Sequence, residues 1–132
     1  MTLDREWEKF SGGPNKPNRD RIHITINKTG LIYINGNGHR MLGRPEAVQL
    51  FFNRPKDKIA LKPAHARLSD AFPVKEKSGY YLVHASPFCR HYGIKFGTTE
   101  KFVLPDIDDD GILHLDLTRT VTVSGKNPKR RK

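Results

Sequence analysis

Ile22, Ile24 and Ile26 alternate with His23, Thr25 and Asn27, the period-two pattern of a strand with one buried face. Lys28-Thr29-Gly30 then reads as a tight turn and residues 31–34 as the return strand. Residues 35–42 carry Gly36 and Gly38, so they are expected as a loop or one short helical turn, closed by Gly43. Strands follow over 48–52 and 58–62, around a turn at 53–57. The same order then recurs. Residues 72–76 predict a strand, Lys77-Ser78-Gly79 a turn, and 80–83 its return. Ser86 is placed as an N-cap with Pro87 at the first helical position, and Gly93 closes the helix behind Tyr92. Strands over 100–104 and 112–117 flank a turn at 106–111.

This recurrence reads as an internal repeat. Lys28-Thr29-Gly30 matches Lys77-Ser78-Gly79, and Arg40 to Gly43 matches Arg90 to Gly93. The fold class expected is mainly β: a small duplicated β-barrel of two β-β-α-β-β units, 21–63 and 71–118, within one domain spanning 21–123. Ahead of it, Ser11 to Asn18 holds two prolines and two glycines, so residues 1–20 are expected as a flexible arm. Trp7 and Phe10 would either dock that arm or belong to a mobile tail. Residues 124–132 have no apolar group to bury after Val123 and are expected as a disordered basic tail.

Charge changes the picture more than composition does. The net charge is +10 over 132 residues. Residues 21–70 hold nine bases and three acids, residues 71–125 six bases and seven acids, and residues 126–132 five bases. A field concentrated in the first half and the tail suits a polyanion, with nucleic acid the commonest. A solubilising excess is the plain alternative. Cys89 is the single cysteine, which excludes an internal disulfide and fits a cytoplasmic setting. Residues 1–10 carry three acids and no apolar run, unlike a signal peptide. No stretch reaches the ~18 apolar residues of a membrane span.

The first unit resembles the AbrB-type swapped-hairpin family. The resemblance rests on Ile24-Thr-Ile-Asn-Lys-Thr-Gly-Leu-Ile-Tyr-Ile34, a short helix ending Leu42-Gly43, then Val48-Gln-Leu50 and Ile59-Ala-Leu61. It implies two interlocked units forming one barrel, here closed within a single chain, and DNA binding as a small transcription regulator. The family's Arg after the turn glycine is Leu31 here, its Pro after the second strand is Asn35, and its helical Arg is His39 followed by Arg40. The nucleic-acid contacts implied on the first unit are Lys28, His39, Arg40 and Arg44. Arg54, Lys56 and Lys58 add to its basic face, and Lys129, Arg130, Arg131 and Lys132 add non-specific affinity from the tail.

Other motifs point to little chemistry. Asp106, Asp108, Asp110 and Gly111 copy the first half of a calcium loop, but Leu117 stands where the bidentate Glu belongs. Asp-Gly between alternating strands is a hairpin signal. His84, Cys89 and His91 lack a fourth ligand at zinc spacing. Cys89 beside Phe88 reads as a core residue. Asn27-Lys28-Thr29 fits a glycosylation acceptor, idle in the cytoplasm. The expectation is therefore no enzyme, no catalytic residue, no metal and no cofactor. The partner expected is double-stranded DNA, with no membrane. The alternative is a protein-interaction module presenting Tyr80, Tyr81 and Phe96. Two complementary units in one chain leave little need for an exchanged partner. Sedimentation at micromolar concentration should show mainly monomer, with at most a weak dimer; an obligate strand-exchanged dimer would contradict the duplication.

Overall fold

A computed structural model describes residues 22–123. The strands are β1 (Ile24–Ile26), β2 (Leu31–Asn35), β3 (Ala47–Asn53), β4 (Lys58–Ala64), β5 (Phe72–Lys77), β6 (Tyr80–His84), β7 (Glu100–Phe102), β8 (Asp106–Ile107), β9 (Leu113–Asp116) and β10 (Thr120–Thr122). Two helices interrupt them, α1 (Gly36–Met41) and α2 (Ser86–Tyr92). The strands form one curled antiparallel half-barrel in the order β10-β7-β1-β2-β6-β5-β3-β4-β9-β8. The chain is mainly β, as its period-two pattern predicts. No helix of the described residues is long and apolar enough to cross a membrane. The expected arm at 1–20 and tail at 124–132 lie outside the described residues.

The alternating isoleucines set the core. Ile24, Ile26, Ile32, Ile34, Ile59, Leu61, Val83, Phe102, Leu113 and Leu115 are buried in one cluster. Each buried side chain of this size contributes about 1.5–3 kcal/mol. At the middle of the sheet, β2 pairs with β6 along five residues, with Tyr33 opposite Leu82. β4 pairs with β9, with Ala60 opposite His114. The strand after each helix has two neighbours: β3 pairs with β4 and β5, and β7 with β1 and β10. Pro63 sits inside β4 opposite Val48, yet β9 covers only Lys58 to Leu61 of that strand. The missing N–H of Pro63 therefore costs no ladder bond on the β9 side.

Local chemistry decides some expectations and corrects others. Of the loop or short helical turn expected over 35–42, the helical turn forms, at residues 36–41, because Asn35 caps it. The Asn35 carboxamide oxygen accepts from Gly38 N at 2.9 Å and from His23 N at 3.1 Å. A Cβ at Gly38 would lie 2.9 Å from that same oxygen and 3.0 Å from Ile34, so the glycine permits the close approach. Ser86 is not the N-cap of α2. Ala85 takes that position without a side-chain cap bond, and the Ser86 hydroxyl instead donates to the Thr29 carbonyl across the sheet. Gly93 does close α2, at φ 68°. The strand expected over 100–104 stops at Phe102. The turn expected at 106–111 is shorter, because Asp106 and Ile107 pair with His114 and Leu113. β10 has no counterpart among the expected strands; it pairs with β7.

At Gly30 the close neighbour is backbone. The glycine's φ is +87°, and an added Cβ would lie 2.9 Å from the Ser86 Cα. Gly43 is also left-handed, at φ +95°, but has open space around it. Gly43→Ala should therefore lose only the left-handed penalty, about 1–2 kcal/mol. Gly30→Ala adds a backbone collision, for a total of about 2–5 kcal/mol. Paired urea melts read the difference, and equal losses would mean the β1–β2 turn and α2 can separate freely.

Candidate nucleic-acid interface

Three separate pieces of chain converge on one side of the half-barrel. The first is the β1–β2 turn. The Asn27 carboxamide oxygen accepts from Thr29 N, the Thr29 hydroxyl and Leu31 N. That Asx-type turn holds Lys28 outward. The second is the end of α2 and the loop behind it, which supply Arg90, Lys95 and Phe96. The third is the β3–β4 hairpin, where Arg54, Lys56 and Lys58 follow Phe51 and Phe52. The β2–β6 register brings the first two together, because Leu31 lies opposite His84 just ahead of α2.

The surface between them is a run of three grooves. One of about 530 Å³ is lined by Lys28, Gly30, Ser86, Arg90, Lys95 and Phe96, among others. A second of about 330 Å³ shares Ile94, Lys95 and Phe96 with it and reaches Arg54, Asp57 and Tyr92. A third of about 740 Å³ shares Phe52 and Arg54 with the second and continues past Lys56 and Lys58 to His114. Six bases and one acid, Asp57, line the run. The Arg54 guanidinium lies 5.3 Å from the Phe52 ring centre and 5.8 Å from that of Tyr92, a cation–π seat at the junction. Among the described residues, both ion pairs join a histidine to a carboxylate, His65 to Glu46 and His114 to Asp108. None of the six bases is held by an acid within 4.0 Å there.

Beyond Lys58 and His114 the character changes. A smaller groove of about 260 Å³ is lined by Asp106, Asp116 and Arg119 with them. The Thr118 hydroxyl and backbone N–H hold the Asp116 carboxyl below its ordinary range, with Lys58 and Arg119 assisting. Asp108 is also held low, first by its hydrogen bond from His114 at 2.7 Å and then by the Ile112 N–H. The Asp106–Asp110 run is thus a hairpin turn in which Asp108 accepts from Asp110 N, Ile112 N and His114.

The remaining site residues fall elsewhere. Arg40 and Arg44 are exposed at the end of α1, by the Asn35–Tyr80 end of the β2–β6 ladder and opposite the Lys28 end. The Arg40 guanidinium donates to Asn37. His39 is buried, stacked on Tyr81 at 3.8 Å with its Nε2 3.0 Å from the Pro45 carbonyl. Lys129, Arg130, Arg131 and Lys132 lie outside the described residues. Tyr80 is exposed near α1, whereas Phe96 packs against the core in the grooves near α2. Of the cysteine–histidine trio, Cys89 is buried, and burial pushes its thiol up, while His84 and His91 are exposed. Arg90 and Lys95 were not among the expected contacts. Arg90 stands where the expected repeat aligns it with Arg40, which is the sequence signal that could mark it.

A scan of protein-family models, a search of curated proteins and a search of solved structures return no match for this chain.

The His114–Asp108 pair has a pH signature. A carboxyl held low in the folded protein stabilises it above the unfolded value and loses that contribution as pH falls. His114→Ala should raise the titration of Asp108 toward an ordinary aspartate, read by carboxyl carbon NMR. The loss of thermal stability in that variant should be present at neutral pH and shrink through the carboxylate range.

Proposed function

We propose that this chain binds nucleic acid along the Lys28–Lys95–Lys58 grooves, as a small regulator of the AbrB-like swapped-hairpin kind. The observation that carries the reading is the run of six bases, unpaired among the described residues, against one acid in connected grooves. Unpaired cations in a concave track suit successive phosphates, and such contacts supply affinity before any sequence choice. Double-stranded DNA is the partner that the family resemblance implies.

The fold reading behind this is a duplicated, swapped-hairpin barrel. Its support is in the register. Tyr33 and Leu82 lie opposite each other and are separated along the chain by the same distance as Gly30 and Gly79. That is the pairing a two-fold between units would place on its axis. Each post-helix strand pairs with the first strand of the other unit, as a hairpin exchange requires.

A protein-interaction role has one observation in its favour. Val121, Val123, Val103 and Leu104 are exposed beside β10, an edge strand among the described residues, and an unpaired edge is a template for an added strand.

Binding to labelled duplex at low salt tests the nucleic-acid reading. Six phosphate contacts would give a slope of about −5 in log affinity against log salt. Lys56→Glu with Lys95→Glu should weaken binding at least tenfold and flatten the slope by about 2. Lys75→Glu with Lys77→Glu, away from the grooves, should do much less. Removing 126–132 should weaken all duplexes alike. If that shortened chain binds no nucleic acid at low salt, the tail alone explains affinity and the grooves are not an interface.

A further inference from the structure

We infer that the outer face of β3, β4 and β9 holds one unpaired nucleobase between Phe51 and His114, so that the preferred ligand is a single strand. The inference rests on the nucleic-acid reading of the grooves and names the ligand class for it. Phe51 lies opposite Ala60, and Ala60 lies opposite His114, so the three form one row across three strands. All three line the 740 Å³ groove. The neighbouring positions on this face are Gln49, Asn53, Lys58, Lys62 and Asp116. Phe51 is the one large apolar side chain among them, and it is 50% exposed.

The row has the shape of a slot. Its walls are two planar side chains, set two strand spacings apart, or about 10 Å at the backbone. Its floor is a methyl group. A base stacked on the exposed Phe51 ring fits within that spacing, over Ala60 and on the side toward His114. Asp108 fixes the imidazole through the 2.7 Å bond to its Nε2, so one wall is oriented before anything binds. Lys58 stands two residues along β4 on the same face, and Lys56 and Arg54 line the same groove, where the phosphates of a stacked nucleotide would run. The combination of a cationic groove and an exposed aromatic is the chemistry of single-strand binding. In a duplex both faces of every base are already stacked, so the slot would stay empty.

The test uses the full chain and two fluorescent strands of about 12 nucleotides, a length within single-strand site sizes. One is oligothymidine; the other has the same phosphodiester backbone without bases. The full chain should bind the base-bearing strand about five- to a hundredfold tighter, the range expected for one stacked base. Phe51→Ala should bring that preference close to one, and Phe51→Trp should keep it, which separates lost stacking from lost folding. Equal binding of the two strands by the full chain would overturn the slot and leave the phosphate track standing. No binding of either strand at low salt would overturn both. A matched duplex bound tighter than oligothymidine would also overturn the slot and return the grooves to double-stranded DNA.

Discussion

β2 and β6 run antiparallel through the centre of the sheet, and the groove that holds Lys28, Arg90 and Lys95 depends on that pairing. The ladder is short, five residue pairs from Leu31–His84 to Asn35–Tyr80, but its inward side chains Ile32, Ile34 and Val83 are wholly buried or nearly so. A slip of one residue would turn that apolar set outward. The buried isoleucines therefore lock the register as well as the strand. Once it is locked, the β1–β2 turn lies against the start of α2, and the Ser86 hydroxyl reaches the Thr29 carbonyl. Lys28 is thereby fixed beside Arg90 and Lys95. The same ladder sends α1, with Arg40 and Arg44, to its other end. Which bases share a groove is decided by apolar packing at the sheet centre, not by the bases themselves.

The strands and turns were legible because period-two alternation and glycine turns are local signals. The Ile22–Ile26 alternation, the Lys-Thr/Ser-Gly turns and the Gly93 cap are all local, and all have counterparts in the structure. What failed was chemistry with two local solutions. Ser86 has the composition of an N-cap, yet its hydroxyl donates to the Thr29 carbonyl in the β1–β2 turn, 57 residues away in sequence. Two glycines in 35–42 lower helix propensity, yet the short helical turn expected there forms, because the Asn35 side chain caps it and Gly38 permits that close approach. β8 and β10 are two and three residues long, too short to carry a periodic signal, and exist because β9 and β7 offer them an edge.

The groove was less legible, for a reason that lies in how charge is counted. Residues 71–125 sum to slightly negative, which draws attention away from Arg90 and Lys95. The acids responsible are gathered around the β8–β9 turn, at Asp106, Asp108, Asp109 and Asp110, while Arg90 and Lys95 sit on α2 and its loop. A segment total averages over groups that the fold separates. His39 shows the converse. By sequence it is a polar neighbour of Arg40; in the structure it is buried under Tyr81 and bonded to a backbone carbonyl, where it serves packing.

Six cations with no acid of the described residues within 4.0 Å also carry a cost in the unbound protein. Exposed like charges repel over about a Debye length, roughly 8–10 Å at physiological salt, and no carboxylate of the described residues lies within 4.0 Å of these bases. Arg54 offsets part of that cost by resting on Phe52 and Tyr92, which gives its guanidinium a partner without neutralising it. Elsewhere on the sheet the acids are consumed internally: Glu100 accepts from the hydroxyls of Thr98, Thr120 and Thr122, and Asp116 from Thr118. Threonines satisfy the carboxylates locally, and the bases are left facing the grooves. A surface kept soluble by charge alone would gain by interspersing the two signs. Their separation here leaves a repulsion that a bound polyanion would relieve, and that is the energetic case for reading the grooves as a phosphate track.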